Sequence, residues 1–293
     1  MEFYKGHGLG NDYIALELDS FAYNLNPPAV RLLCDRHTGV GSDGILGRVA
    51  SDAADFGLRI FNPDGTEAEK SGNGLRIFAA YLLGRGEVEH RRPFTVETPG
   101  GIVAMEILER TADGVLVVEV EMGTASFDSA AVGLAGPPRE TEHEPLVLDS
   151  GDTLLINTVS MGNPHCVVFQ DALDEVEELR RRAPQLCTHS AFARGTNVQF
   201  ASVAADGVVD AWVWERGAGE TSASGSSACA VAAAAVRRGL VATRRVRVRM
   251  PGGSLDVHVR DDFSILLRGP VEDVYTATLA EGMLARLGSV SWP

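Results

Sequence analysis

One stretch decides the fold: Ser71-Gly72-Asn73-Gly74-Leu75-Arg76-Ile77-Phe78-Ala79-Ala80-Tyr81-Leu82-Leu83-Gly84-Arg85-Gly86. A second stretch has the same layout, with Ser224-Gly225-Ser226-Ser227 before an apolar segment at 228–236 and Arg237-Arg238-Gly239 after it. In both, a serine opens an apolar segment that ends at a glycine, and the spacing from serine to final glycine is identical. Serine is a favoured N-cap and glycine commonly follows a helix, so the two stretches predict two equivalent helices.

Further landmarks repeat around the two serines at nearly constant spacing. They are Gly10-Asn11 and Gly162-Asn163, Asn62 and Glu215, and Pro99-Gly100-Gly101 and Pro251-Gly252-Gly253. Such self-similarity indicates an internal duplication. The other apolar segments, such as 94–97 and 115–120, alternate in a way typical of β-strands with one buried face. The sequence therefore predicts an α+β protein of two homologous domains, each a sheet wrapped around a central helix.

The expected N-terminal domain covers residues 1–130 plus 271–293, and the expected C-terminal domain covers residues 131–270. One further helix is expected around residues 173–182, because acidic residues come early and basic residues late in that segment, as the helix dipole prefers. Residues 136–145 are rich in proline and glycine and predict a loop or an interdomain crossing.

Composition limits the function classes. Of 293 residues, 45% are hydrophobic, and 26 basic against 40 acidic side chains give a net charge of −14. A general nucleic-acid binder needs a clustered basic face, which this balance disfavours. The basic segment 244–249 alternates with valine and predicts a strand with one solvated face. With no membrane-spanning run and no apolar signal-peptide core, we expect a cytoplasmic protein.

Four cysteines, at positions 34, 166, 187 and 229, are too few for a disulfide scaffold and show no C-x-x-C spacing. We expect them to be reduced. The segment Gly39-Val40-Gly41-Ser42-Asp43-Gly44 fits the dinucleotide-binding pattern. That motif follows a β-strand, and no strand-like segment precedes this one, so we do not expect a dinucleotide site. His37 and His165 lie near glycine-rich motifs, where a lone histidine is more often a structural partner than a base.

The two predicted helix starts could form an anion site, because backbone N–H groups in the first turn of a helix attract a carboxylate or a phosphate. Polar side chains cluster near glycines and turns in both halves: Asn11, Asn62, Asn73, Asn163 and Asn197. Glu215-Arg216 precedes the second serine, and arginine can bind a carboxylate through two hydrogen bonds while the glutamate accepts from an ammonium. The pattern favours a site for a small zwitterion.

At these residues the sequence resembles the diaminopimelate epimerase family, within the proline-racemase-like enzymes that work without pyridoxal phosphate. The likeness covers nearly the whole chain. It rests on His7-Gly8-Leu9-Gly10-Asn11-Asp12, Cys34-Asp35-Arg36-His37-Thr38-Gly39-Val40-Gly41, Asn62-Pro63-Asp64-Gly65-Thr66-Glu67-Ala68-Glu69, Gly72-Asn73-Gly74, Met161-Gly162-Asn163-Pro164-His165, Thr196-Asn197-Val198 and Glu215-Arg216-Gly217-Ala218-Gly219-Glu220-Thr221.

The resemblance implies two α/β domains, each a mostly antiparallel barrel around a helix, with the site in the cleft between them and a homodimer as a common assembly. It also implies an amino-acid isomerase of lysine and peptidoglycan-precursor biosynthesis that needs no cofactor and no metal. Such enzymes interconvert LL- and meso-diaminopimelate with two cysteines, one removing the Cα proton and the other delivering one to the opposite face.

The positions that match those cysteines are Ser71 and Ser224 in this chain. A hydroxyl is a weaker acid than a thiol and needs a neighbouring base. Three explanations stay open: deliberate replacement of both cysteines to trap a substrate, a divergent isomerase or lyase in which His165 or Glu215 activates a serine, and a protein that binds an amino acid without turning it over.

The resemblance assigns a role to each candidate residue. Ser71 and Ser224 take the base and acid positions, with His165 and Glu215 as candidate activators. The residues expected to bind a diaminopimelate-like substrate are Asn11, Asn62, Gly72, Asn73, Asn163, Asn197, Glu215, Arg216, Gly225 and Ser226.

Overall fold

A computed structural model describes residues 1–290 of the chain. The chain divides into two compact units. Unit 1 consists of Met1–Val120 and Gly269–Pro293, and unit 2 consists of Glu121–Arg268. Each unit contains one long helix that starts directly after one of the two serines.

Within residues 1–290, unit 1 contains seven complete strands and three helices. The strands are β1 (Glu2–Gly8), β2 (Asn11–Glu17), β3 (Ile45–Val49), β4 (Phe56–Phe61), β5 (Glu67–Ala68), β6 (Phe94–Thr98) and β7 (Gly101–Arg110), and the helices are α1 (Pro27–Cys34), α2 (Gly72–Gly84) and α5 (Glu281–Val290). Two longer strands, β8 (Leu116–Thr124) and β17 (Ser264–Thr278), contain the unit boundaries.

Eight strands of unit 1 form a closed barrel. The order of pairing is β1-β2-β3-β4-β6-β7-β8-β17, and β17 pairs back to β1. The β2–β3 and β4–β6 pairs are parallel, whereas β1–β2, β3–β4, β6–β7, β7–β8 and β1–β17 are antiparallel. Closure removes the exposed strand edges that would otherwise invite pairing with other chains.

Unit 2 repeats this order with its own elements. They are β9 (Glu144–Val147), β10 (Thr153–Ser160), β11 (Pro164–Phe169), α3 (Val176–Cys187), β12 (Asn197–Val203), β13 (Val209–Glu215), β14 (Gly219–Thr221), α4 (Gly225–Arg237), β15 (Arg245–Met250) and β16 (Gly253–Val259). The strands pair in the order β10-β11-β12-β13-β15-β16-β17-β8, and a bridge between Ser126 and Ser160 completes the ring.

The central helices are buried almost completely. Residues 72–82 of α2 are all buried, and so are ten of the thirteen residues of α4. A helix that is apolar on every side is stable only when other elements enclose it. The α4 helix meets this demand with alanine at 232–235 and small residues elsewhere, and it contacts β10, β11, β12, β13, β15 and β16.

Each unit also packs a second helix on the outer face of its sheet. In unit 1, Ala29, Val30 and Leu33 of α1 pack with Ile14 and Leu16 of β2. In unit 2, α3 packs against the face of the sheet that carries Val198, Phe200 and Trp212. Strands such as β2 are therefore buried on both faces, with one face toward the central helix and the other toward the outer helix.

The structure confirms the predicted fold class and both central helices. The basic segment 244–249 also forms a strand, β15, in which arginines are exposed and alternate residues are buried. The helix expected at 173–182 instead spans Val176–Cys187, because continuing past Pro184 buries Leu186 and Cys187. Within residues 1–290, no helix is long and apolar enough to span a membrane.

We predict that Phe78→Ala lowers the free energy of unfolding by about 3–5 kcal/mol, because Phe78 is fully buried in α2 and its loss leaves a cavity. Urea unfolding followed by circular dichroism measures the change. Ile102→Ala is the control, since Ile102 of the same unit is 55% exposed, and it should change stability by no more than about 0.5 kcal/mol. If the two substitutions lowered the free energy of unfolding equally, the conclusion that the sheet encloses α2 would be wrong.

Candidate active site

Ser71 caps the helix α2 at the end of a short extended segment. Its Oγ accepts a hydrogen bond of 3.0 Å from the Gly74 N–H, and its backbone has φ −138° and ψ 117°. The Tyr13 hydroxyl lies 3.3 Å from the same Oγ. The first serine is therefore a helix cap whose oxygen also touches a phenol of β2.

A chain of side-chain hydrogen bonds surrounds the start of α2. Asn73 Nδ2 donates to Asn11 Oδ1 at 3.0 Å, and Asn11 Nδ2 donates to Asp43 Oδ2 at 3.0 Å. Arg76, which is fully buried, donates to Asn73 Oδ1 at 2.7 Å and to the Gly72 carbonyl at 3.1 Å. These contacts bring two of the expected substrate-binding asparagines together and fix their orientation.

Charged groups hold the loop before β3 against β2. Asp12 forms ion pairs of 2.8 Å with Lys5 and 2.6 Å with Arg36, and Arg36 also pairs with Asp43 at 2.6 Å. Burial alone would raise the pKa of Asp12, but hydrogen bonds from Arg36 and Lys5 outweigh it and keep the pKa below its ordinary value. A carboxylate so paired stays ionised, so the loop that carries Asp43 stays attached near neutral pH.

Ser224 has a different partner from Ser71. It begins α4 with a nearly identical backbone conformation, φ −140° and ψ 125°, but its side chain makes no capping hydrogen bond. Glu215, at the end of β13, interacts with the Ser224 side chain. Burial raises the pKa of Glu215 above its ordinary value, and the interaction with Ser224 offsets part of that rise.

His165 is buried in a polar chain that runs through unit 2. Its Nε2 lies 2.9 Å from Asn163 Oδ1, its Nδ1 lies 3.1 Å from Gln199 Nε2, and Gln199 Nε2 also donates to Ser227 Oγ at 3.0 Å. Since the amide nitrogen can only donate, Nδ1 accepts and Nε2 carries the proton toward Asn163. Burial lowers the pKa of His165 to about 3, so the imidazole is neutral.

Asn197 links two segments of unit 2. Its Nδ2 donates to the Pro164 carbonyl at 3.0 Å, and its Oδ1 accepts from the Arg216 backbone N–H at 2.9 Å. The Arg216 guanidinium donates to the Arg194 carbonyl at 2.8 Å and is exposed. Asn197 therefore orients the segment that carries Glu215 and Arg216.

Asn62 does not join the Ser71 cluster through its own side chain. Its Nδ2 donates to Thr66 Oγ1 at 3.0 Å within the Asn-Pro-Asp-Gly turn after β4. The remaining predicted site residues, Gly72, Gly225 and Ser226, lie in the first turns of α2 and α4. In unit 2, three of the predicted positions, Asn163, His165 and Asn197, are connected by hydrogen bonds around the Asn163-Pro164-His165 segment.

Three polar side chains in these clusters are not predicted by the sequence motifs: Tyr13, Gln199 and Arg76. Arg76 carried a signal, since it is the one charged residue in the apolar run 75–83. Tyr13 also carried a sequence signal, because it lies two residues after Asn11 just as His165 lies two residues after Asn163. Gln199 carried no sequence signal, because its contact with His165 depends on the register between β11 and β12.

All four cysteines are free and buried. Burial raises the pKa of the thiols of Cys34, Cys166 and Cys187, which makes thiolate formation there unfavourable. Among residues 1–290, no group of three or more histidine, cysteine, aspartate or glutamate side chains is arranged to hold a metal ion.

Solved structures with the same arrangement define the class of the fold. The chain is similar to a hydroxyproline epimerase from Agrobacterium vitis with bound trans-4-hydroxy-L-proline, with a TM-score of 0.69, 16% identity and coverage of 94% of this chain and 91% of that one. It is also similar to a methylitaconate Δ-isomerase, with a TM-score of 0.65, 12% identity and coverage of 100% and 98%. The two barrels therefore have the duplicated fold found in these isomerases.

Sequence comparison identifies the family within that class. A family model described as diaminopimelate epimerase matches residues 3–127 and 157–274. Diaminopimelate epimerase 2 of Nostoc sp. strain PCC 7120 is 43% identical over 286 residues, covering 97% of this chain and 96% of the relative. Diaminopimelate epimerase of Desulforudis audaxviator is 44% identical over 281 residues, covering 94% and 98%. The chain belongs to the diaminopimelate epimerase family, which is a family of isomerases.

We predict that His165 makes the protein less stable in acid. The unfolded chain binds a proton at the imidazole below about pH 6.5, but the folded chain does so only near pH 3, so stability falls as the pH drops through this range. His165→Gln keeps a donor and an acceptor without titrating. Between about pH 6.5 and pH 5 the variant should lose about 2 kcal/mol less unfolding free energy than the parent, measured by urea titration. If the parent and the variant lost the same unfolding free energy over this pH range, His165 would not be neutral and buried in the folded protein.

Proposed function

We propose that the protein interconverts LL- and meso-diaminopimelate by removing the Cα proton and returning one to the opposite face, without a cofactor. The observation that carries this proposal is the interaction of the Glu215 carboxyl with the side chain of Ser224. It gives the helix-start hydroxyl a carboxylate that can take its proton, which is what a serine needs in order to act where a cysteine acts in relatives.

Glu215 is better suited than His165 to activate a serine. His165 lies in the closed chain of Asn163, Gln199 and Ser227, and its neutral nitrogens are engaged by Asn163 and Gln199. Glu215 interacts with Ser224 itself, and burial raises its pKa, which makes its carboxylate a stronger base. His165 therefore orients the Asn163 side chain, and Glu215 acts on Ser224.

The proton transfers can be written so that charge balances. Ser224 Oγ takes the Cα proton while its own hydroxyl proton passes to the Glu215 carboxylate, which becomes neutral. The substrate carboxylate gains negative charge as the carbanion delocalises. Ser71 then gives its hydroxyl proton to the other face of Cα and must be reprotonated, while Glu215 releases the proton that it gained. We propose that the starts of α2 and α4, at Gly72-Asn73 and Gly225-Ser226, stabilise that carboxylate through backbone N–H groups.

The other polar residues would bind the distal amino-acid end. Arg216 is exposed and can bind a carboxylate through two hydrogen bonds, and Asn197 holds its backbone in place. We assign Asn11, Asn62, Asn163 and Asn197 to hydrogen bonds with the ammonium and carboxylate groups of the substrate. A substrate with two amino-acid ends fits this number of polar groups.

Exchange of the Cα proton with solvent tests the function directly. The protein is incubated with LL-diaminopimelate in D₂O, and loss of the Cα proton signal is followed by NMR, with the stereoisomers separated by chromatography. We expect deuterium incorporation with inversion. Exchange with another amino acid alone would make the protein an isomerase of that substrate, elimination products would make it a lyase, and binding without exchange would overturn the enzymatic proposal.

We predict that Glu215→Gln lowers the exchange rate by about 10²–10⁴-fold, because the amide cannot accept the Ser224 proton. In the parent, the acidic limb of the rate profile should lie above the ordinary glutamate pKa, since activity is lost when Glu215 is protonated. Glu220→Gln is the control, because Glu220 pairs with Arg180 and is exposed. If both variants kept the parental rate, Glu215 would not be the base.

Restoring the thiols gives an independent prediction. The double substitution Ser71→Cys, Ser224→Cys should raise the rate of Cα exchange by at least about tenfold, because a thiolate forms more readily than an alkoxide at a helix N-terminus. The single substitutions serve as controls and should raise it less, since inversion needs both groups. A double variant slower than the parent would mean that the site has adapted to hydroxyl chemistry.

We also propose a cytoplasmic location and a homodimer, which follow from the family rather than from any contact in the structure. Sedimentation equilibrium measures the assembly. A monomer at all concentrations up to about 100 μM, where a dimer of ordinary affinity forms, would contradict the dimer.

A further inference from the structure

Tyr13 is a polar residue in a strand that is otherwise apolar at its centre. It is 7% exposed, and its neighbours Ile14, Ala15 and Leu16 in β2 are also buried. Ile14 and Leu16 face the outer helix cluster, so the alternation of β2 turns Tyr13 toward the central helix. There its hydroxyl lies 3.3 Å from Ser71 Oγ.

The neighbouring strand leaves space for the Tyr13 ring. Gly44 directly precedes β3, and the Ile14 N–H donates to its carbonyl at 3.1 Å. A Cβ at position 44 would lie 2.6 Å from Tyr13 Cε1 and 2.6 Å from the Phe61 carbonyl oxygen. The φ of Gly44 is not in the left-handed region, so glycine is needed there for close approach.

The same scaffold positions in unit 2 carry other side chains. Because β2–β3 and β11–β12 are both parallel and in corresponding register, Tyr13 corresponds to His165 and Gly44 to Asn197. By the same register, Asn62 corresponds to Glu215. In unit 2, Ser224 therefore interacts with a carboxyl group, that of Glu215 on β13, the fourth strand of the pairing order. In unit 1, Ser71 instead contacts a phenol, that of Tyr13 on β2, the second strand of the pairing order.

We infer that Tyr13 is a positioning residue for Ser71, which orients the Ser71 hydroxyl and replaces its proton after transfer. This inference rests on the proposed function. It deepens that function by making the two half-sites chemically unlike: Ser224 faces a proton acceptor and Ser71 faces a proton donor.

Ser71 Oγ accepts from the Gly74 N–H and keeps a second acceptor position. Either hydroxyl could donate across the 3.3 Å contact with Tyr13, and we take the phenol as the donor. The Ser71 proton is then free to point at the substrate. When it passes to Cα, the Tyr13 proton moves to Ser71 Oγ and Tyr13 is left as phenolate, which is more stable than a serine alkoxide. Glu215 has gained one proton and Tyr13 has lost one, and exchange with solvent restores both.

A thiol at position 71 tests the contact without any turnover. In Ser71→Cys, the rate of alkylation by iodoacetamide as a function of pH gives the pKa of the introduced thiol, and the four buried cysteines of the parent give the background. Adding Tyr13→Phe removes the donor to the thiolate and should raise that pKa by about one unit. Adding Tyr81→Phe instead is the control, because Tyr81 is a buried tyrosine of α2 that packs on Phe78. An unchanged pKa in the Tyr13→Phe background would overturn the inference.

The second readout uses the parental serine. Tyr13→Phe should lower kcat for Cα exchange about 10- to 100-fold while KM stays within about twofold, since only proton supply is impaired. A KM increase with unchanged kcat would indicate a packing role and overturn the inference. If the parent shows no exchange with any amino acid, the proposed function fails, and the thiol titration alone decides whether Tyr13 controls position 71.

Discussion

The structure depends on enclosing a helix within a closed sheet in each unit. Most of the surface of such a helix is apolar, so it is stable only when strands surround it. Enclosure creates a problem at the helix start, where backbone N–H groups lack carbonyl partners within the helix. Ser71 solves part of this by accepting from the Gly74 N–H. The remaining N–H groups are those that, under the proposed function, would bind the substrate carboxylate.

The two units have the same backbone at their central helices, but the two serines at the helix starts have different partners. The backbone angles of Ser71 and Ser224 agree to within about ten degrees, and both helices contain 13 residues. Their hydroxyl groups nevertheless have different partners, Gly74 and Tyr13 for Ser71 and Glu215 for Ser224. Under the proposed function, the two serines would therefore have different partners for proton transfer.

The sequence predicted the features that depend on local pattern. The serine, glycine and apolar spacing predicted both central helices, and alternation predicted strands such as β15. It did not predict α1 and α5, because these short helices form by packing against residues distant in sequence.

The polar partners of Ser71 and Ser224 were harder to predict, because they too depend on contacts between residues distant in sequence. The sequence presents Glu215 and His165 as equal candidates to activate a serine. Only the folded structure distinguishes Glu215, which interacts with Ser224, from His165, which is hydrogen-bonded to Gln199. The contact of Tyr13 with Ser71 joins positions far apart in the chain, and the glycine that makes room for the ring lies in a third segment. Register between distant strands decides such contacts, and a single sequence does not contain it.

The strand β17 has a consequence for synthesis of the protein. Unit 1 is discontinuous, and its barrel closes only when residues 272–278 of β17 pair with β1. Unit 2 is one continuous segment, so during translation it can complete its fold while β1 still lacks this neighbour. An unpaired edge strand can associate with other chains. The growing polypeptide must therefore keep β1 from aggregating until residues 272–278 have emerged from the ribosome.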